Sequence, residues 1–350
     1  LDKNPLHIAL KIVLSTGLLM VLFLVNISMG SVHIPLGDVL DGLAGGDMAK
    51  ASWQTILFQY RVPKAFTALI AGVGLSVSGL QMQSFFRNPL AGPYVLGISS
   101  GAGLGVALLI LGGSAFGWSL TNSTDSYLSW GIWGVIIAGS TGAILILLLM
   151  SFTAWKVKNS ATLLIIGLMF GSASGAIVSV LSYFGNAEDL KLFTIWSMGS
   201  LGGISGDQLQ VFAGVAVLGM IPVILQIKSY NAMLMGERYA RSMGININAL
   251  RWTMIMSTGI LAGSATAFCG PIAFIGIAVP HLARILFRTG DHKVLFPATA
   301  LIGAAFLLVS DAISQLPGFA ETLPVNVITS LFGAPLVIWL ILKRNFISDF

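Results

Sequence analysis

Between Lys64 and Lys156 only two residues carry a formal charge, Arg87 and Asp125. A run of that length cannot clothe a water-facing surface. The same scarcity holds over all 350 residues, of which 9% are charged and 56% hydrophobic, where a soluble domain carries about 25% charged residues. The mean hydropathy is +0.90. A spanning helix consumes ~20 apolar residues, so eight to eleven spans with short loops fill the chain. No stretch is left for a soluble domain of ordinary size, about 50–200 residues. The expected fold class is all-α: a polytopic membrane protein forming one transmembrane domain over residues 1–350.

Several chemistries are excluded by what the sequence lacks. The single cysteine, Cys269, rules out an intrachain disulfide and a multi-cysteine metal site. No Gly-Lys dipeptide occurs, so the phosphate-binding loop G-x-x-x-x-G-K-[ST] is absent, as are H-E-x-x-H and G-x-S-x-G. We therefore expect no catalytic residue, no resident metal and no cofactor. The net charge of +5 comes from basic residues scattered between apolar segments, which points to cytoplasmic loops rather than to nucleic acid. The chain opens at Leu1, so a trimmed start is expected.

Ten apolar segments predict spans at roughly 6–29, 53–84, 93–113, 128–153, 160–184, 205–227, 249–268, 272–287, 295–314 and 325–343. Pro63 should restart the second, because an interior proline lacks the N–H donor. Lys191 to Met198 reads as a short extra helix after the fifth. Orientation follows from the loops. With the N-terminus inside, 14 basic and 4 acidic residues fall on the cytoplasmic side, against 4 basic (Lys50, Arg61, Lys64, Lys191) and 9 acidic outside. That asymmetry puts both ends of the chain in the cytoplasm. Gly97, Gly101 and Gly105, and Gly167, Gly171, Gly175 and Ser179, recur every four residues, the spacing that lets helices approach closely.

Nearly every charge falls at a helix end; Asp125 lies in a polar loop, Asp311 and Glu321 around the ninth loop. Ionisable residues at mid-membrane mark ion pathways and proton relays, so this pattern disfavours an ion-coupled secondary transporter. An intramembrane enzyme finds no nucleophile–base pair. A transporter powered by another subunit fits best. The loop 231–243, NAMLMGERYARSM, is too short to span. Met235, Tyr239 and Met243 share one helical face, with Glu237, Arg238 and Arg241 elsewhere. Such a helix lies on the membrane surface or fills a groove on a cytoplasmic partner.

These residues carry a family resemblance. Arg61-Val-Pro-Lys64, Gly79-Leu-Gln-Met-Gln83, Asn88-Pro-Leu-Ala91 and Leu96-Gly-Ile-Ser-Ser-Gly-Ala-Gly103 resemble the N-terminal signature of FecCD-type permeases. The likeness continues through Trp196-Ser-Met-Gly-Ser200, Gly236-Glu-Arg-Tyr-Ala-Arg-Ser-Met-Gly244 and Gly270-Pro-Ile-Ala-Phe-Ile-Gly276. It ends with Pro280-His-Leu-Ala-Arg284, Leu323-Pro-Val-Asn326 and Gly333-Ala-Pro335. These permeases are membrane subunits of type II ABC importers for iron-siderophores, haem and cobalamin.

The resemblance implies a homodimer in the bacterial inner membrane, two cytoplasmic ATP-binding subunits and an extracytoplasmic substrate-binding protein. It makes 231–243 the coupling helix, with Met235, Gly236, Glu237, Arg238, Tyr239, Arg241 and Met243 meeting the ATPase. It places a cytoplasmic gate at Asn159, Ser160 and Ala161, assisted by Asn88 and Leu90; Asn159 and Ser160 also suit the N-cap of the fifth span. It assigns Arg61 and Lys64 to docking the binding protein. A third family arginine is replaced by Gln315, which leaves Lys50 and Lys191 as substitutes. His281 and Cys269 read as packing residues and His7 and His33 as interfacial, while Trp196 and Met198 suit either aromatic packing or an outer vestibule.

Overall fold

The computed structural model describes residues 5–30, 32, 34–115, 127–157, 159–315 and 322–342. His33, Asp125, Lys158 and Glu321 lie outside them, as do both ends of the chain with Asp2, Lys3, Lys343, Arg344 and Asp349. Among the described residues every regular element is a helix and there is no strand.

In chain order the α-helices are α1 (Pro5–Ser28), α2 (Leu36–Leu43), α3 (Ala51–Thr55), α4 (Val62–Phe86) and α5 (Ile98–Ala115). Then come α6 (Tyr127–Lys156), α7 (Ser160–Phe184), α8 (Ala187–Ser197), α9 (Gly206–Leu225) and α10 (Ile227–Leu234). The last five are α11 (Glu237–Ser242), α12 (Ile247–Cys269), α13 (Ile275–Phe287), α14 (His292–Ser314) and α15 (Val325–Leu342). Seven stretches are long and apolar enough to cross a membrane, and Ile98–Gly112, Ile275–Phe287 and Val325–Trp339 are shorter apolar helices. Together they fall on the ten expected segments.

Two local expectations need correction. Pro63 does not interrupt the second span: residues 51–86 run on as one helical stretch, with a π-helix over Ile56–Arg61 just ahead of α4. Val62 N–H donates to Leu57 O in the wider π register, and the helix continues past Pro63, which has no N–H to donate. The extra helix begins at Ala187, not Lys191, because Glu188 and Asp189 occupy its first turn, where carboxylates suit the positive end of the helix dipole.

The chain packs as two compact units. One comprises Leu1–Val77, Ser200–Gly214 and Ala273–Phe346. There α14 packs against α1, α13 and α15, and Gly72 and Gly303 bring α4 and α14 so close that a Cβ on either would meet the other's carbonyl. Ser76 Oγ donates to Thr299 O at 3.1 Å beside this crossing.

The second unit comprises, among the described residues, those within Ser78–Gly199 and Val215–Ile272. Its centre is α5, packed on α6, α7, α8 and α12. Gly101 and Gly105 face Gly142 and Ala138 of α6 backbone to backbone, and Gly167 of α7 abuts Val95 O. The second glycine stripe serves packing only in part. Gly171 rests on Ser100, but Gly175 has nothing within 4 Å, and Ser179 is exposed. Only 17% of the α7 span is buried, against 72% for α12.

Replacing Gly142 by leucine should force α5 from α6 and cost about 1–3 kcal/mol, as overpacking does. Thermal unfolding in detergent should register that loss for Gly142→Leu and none for Gly175→Ala.

Candidate functional site

The segment expected to couple to an ATPase is two helices, not one. α10 ends at Leu234, and Gly236 takes φ +110° and ψ 152° before α11 begins at Glu237. That backbone conformation is cheap only for glycine, so the i, i+4, i+8 spacing of Met235, Tyr239 and Met243 does not define a single helical face. A second glycine, Gly244 at φ +83°, closes α11. The three apolar side chains are nonetheless exposed, at 74%, 51% and 60%, and Arg238 and Arg241 are exposed beside them. Glu237 differs. Its Oε1 accepts from Arg251 Nη2 of α12 at 2.6 Å, a charge-assisted bond that fixes the start of α11 to α12.

Sequence reasoning missed what ties this segment inward. Tyr230 of α10, fully buried, donates its hydroxyl to Gln81 Oε1 of α4 at 2.8 Å. Gln81 Nε2 donates to Ser257 Oγ of α12 at 3.1 Å, and Ser257 Oγ donates to Gly219 O of α9 at 2.7 Å. One chain of hydrogen bonds thus joins four helices. Burial pushes the Tyr230 phenol above its ordinary pKa, so it stays protonated and remains a donor. Arg87 Nη2 donates to Met233 O at 3.4 Å, bringing the turn after α4 against the end of α10. The available signal was Arg87 itself, a lone cation amid apolar residues.

The two gate segments are each built on a local turn. Asn88 Oδ1 accepts from Leu90 N at 2.9 Å, and Leu90 is 42% exposed. Asn159 Oδ1 accepts from Ala161 N at 2.9 Å, so Asn159 is the N-cap of α7. Ser160 is half-buried and Ala161 exposed. Nearby in sequence, Tyr94 donates its hydroxyl to Ile272 O.

Arg61 and Lys64 come together, but both are engaged within the protein. The buried Arg61 guanidinium donates to Ile27 O at 3.0 Å, to Ser28 O at 2.8 Å and to Val32 O, satisfying the open carbonyls at the end of α1. Lys64 Nζ lies 2.9 Å from Oδ1 of Asp311, which is wholly buried. Asp311 Oδ2 accepts from Asn26 Nδ2 at 3.0 Å and from Gln315 Nε2 at 2.8 Å. Within the chain, Lys64 thus neutralises a buried acid and Arg61 caps the end of α1. Gln315, read as a lost docking cation, is a ligand of the same carboxylate.

Among the remaining candidates, His281 and Cys269 are buried. His7 and Lys191 are exposed. Lys50 lies over the Trp53 ring, 5.0 Å from its centroid. Trp196 stacks on Phe193 with centroids 6.1 Å apart, and Met198 is 41% exposed.

A helical membrane protein with these ten segments, a glycine-built α5 and a short two-helix excursion after α9 has the architecture of a type II ABC importer permease. A metal-chelate type ABC transporter in an inward-facing conformation is similar to it with a TM-score of 0.81 and 28% identity, over 95% of this chain and 98% of that one. Residues 18–343 match the family model of the FecCD transport family, and the chain belongs to that family. Curated relatives include the vitamin B12 import system permease protein BtuC of Salmonella paratyphi A, 34% identical over 86% of this chain and 88% of the relative. The protein of the same name from Klebsiella pneumoniae is 34% identical over 94% of this chain and 92% of its own.

Removing the carboxylate in Asp311→Ala should cost about 3–5 kcal/mol, since it strands a cation in a buried pair. Gln315→Ala, which deletes one hydrogen bond, should cost about 1 kcal/mol. In thermal unfolding the apolar double replacement Lys64→Met with Asp311→Leu should recover much of the loss of Asp311→Ala.

Proposed function

We propose that this chain is the membrane subunit of an importer that carries a chelated metal, cobalamin or an iron complex such as a siderophore or haem, into the cytoplasm. The whole of 1–350 acts as one transmembrane permease domain in the bacterial inner membrane, with both ends cytoplasmic. It works as a homodimer, takes cargo from an extracytoplasmic binding protein and is driven by two ATP-binding subunits. The permease itself is not an enzyme.

The observation that carries this reading is the excursion at 231–243. It offers an exposed apolar set, Met235, Tyr239 and Met243, flanked by Arg238 and Arg241, and so suits a groove on a cytoplasmic partner. Behind that surface, the chain Tyr230–Gln81–Ser257 offers a rigid route by which a push on α10 reaches α4 and α12. Glu237 holds α11 to Arg251 and belongs with Gly236 to the same partner-facing surface. The sparsely buried face of α7, with Ser172, Gly175, Ala176 and Ser179 on it, suits a pathway shared with a second copy. Asn159, Ser160 and Ala161 at its start, with Asn88 and Leu90, form the inner gate.

Ion coupling is the weaker reading: of the two buried acids among the described residues, Asp311 is paired with Lys64, and Asp189 lies at a helix end, in the first turn of α8. The test is reconstitution in vesicles with a co-encoded ATPase and a loaded binding protein. Uptake of corrinoid or ferric chelate should require ATP and survive dissipation of ion gradients. Uptake driven by a proton or sodium gradient alone would overturn the proposal.

Two variant sets separate docking from transmission. Tyr239→Ala with Met243→Ala should weaken ATPase association at least tenfold, at about 1–2 kcal/mol for each central apolar contact, with membrane insertion intact. Tyr230→Phe should leave association unchanged and lower transport-stimulated hydrolysis. Cysteine at Ser160 should crosslink to its own copy across the dimer axis, as a two-fold interface requires, and less readily when the pathway opens inward.

A further inference from the structure

A cleft of about 570 Å³ runs between α1, α13 and α14. Its walls are apolar over most of their area, with Leu18 from α1, Ile285 and Leu286 from α13 and Leu301 from α14 among the lining side chains. Two cations stand among them, Lys11 of α1 and Arg288 just past the end of α13. The size is within the range of about 300–1,000 Å³ usual for a small-molecule site.

We propose that this cleft is a binding site for an anionic phospholipid of the cytoplasmic leaflet, with an acyl chain along the apolar walls and the headgroup phosphate between Lys11 and Arg288. The inference does not depend on the cargo or on ATP coupling; it rests on the membrane reading of α1, α13 and α14.

Position supports it. Lys11 lies two turns from the start of α1, and Leu18 follows at ~10 Å greater depth at 1.5 Å per residue. Arg288 follows the last turn of α13, while Ile285 and Leu286 precede it. Both cations therefore mark the end of the cleft nearer water, and the positive-inside count assigns that end to the cytoplasm. Anionic lipids populate that leaflet, and basic pockets between helices on that side hold their headgroups.

The local structure fits this placement. Arg288 is the C-cap of α13, its N–H donating to Arg284 O, which fixes the root of its side chain at that end of the helix. Asp291 of the same loop is the N-cap of α14, its Oδ1 accepting from Lys293 N at 2.9 Å.

The test uses the full chain in nanodiscs of phosphatidylcholine with graded phosphatidylglycerol, read by native mass spectrometry of retained lipid and by thermal unfolding. Phosphatidylglycerol should be retained preferentially and should raise the unfolding temperature. Lys11→Gln and Arg288→Gln should each reduce the preference about fivefold, while Lys11→Arg and Arg288→Lys preserve it. The control pair Lys156→Gln with Lys228→Gln, which removes equal charge elsewhere, should also preserve it. Equal retention of both lipids, or equal loss in the control pair, would overturn the site in favour of diffuse surface charge. Displacement of the lipid by inorganic phosphate alone would overturn the acyl component. Efficient crosslinking of Leu286→Cys to its own copy would assign the cleft to a protein contact instead.

Discussion

Inside a bilayer, apolar side chains gain nothing by leaving lipid for protein, so helices must be drawn together by close atomic contact and by polar groups with nowhere else to go. The protein meets the first requirement with glycine. Gly101, Gly105 and Gly142 let α5 and α6 touch backbone to backbone, and Gly72 and Gly303 do the same for α4 and α14. The second requirement is met by buried polar side chains that bond from one helix to another. Asp311 gathers a lysine and two amides, and Gln81 joins a tyrosine to a serine. Each network joins helices distant in sequence, so each fixes an arrangement that hydropathy alone leaves undetermined.

Those two kinds of contact divide the molecule by role. Close glycine packing surrounds α5 and leaves little room for relative motion. The excursion after α9 is held by polar ties, Tyr230 to Gln81, Arg87 to Met233 and Arg251 to Glu237, and by the buried side chains of Ala232, Met233 and Ala240. Its exposed surface is thus mounted on a few directional bonds and a small apolar footing.

The ten spans were legible because twenty-residue hydropathy is a local property. The continuity of the helix past Pro63 is not legible, because a π turn over Ile56–Arg61 leaves no compositional mark. The break at Gly236 escapes periodicity, which counts side chains and ignores the backbone. The internal ties of Arg61 and Lys64 escape a charge count, which shows neither the carbonyls of α1 nor the carboxylate of Asp311. The gate residues show the favourable case: Asn159 before a long apolar run signals a cap, and it accepts from Ala161 N as such a residue should.

The anchoring of α1 has a mechanical consequence. Its apolar span has no buried share at all, and its only buried residues, Asn26 and Ile27, lie in the last turn. There Asn26 donates to Leu308 O, and Arg61 grips the carbonyls of Ile27 and Ser28. Polar bonds thus fasten the helix at one extremity, while its remaining length lies along α14. Loss of those bonds would free that end alone and leave the packing on α14 to hold the rest of the rod.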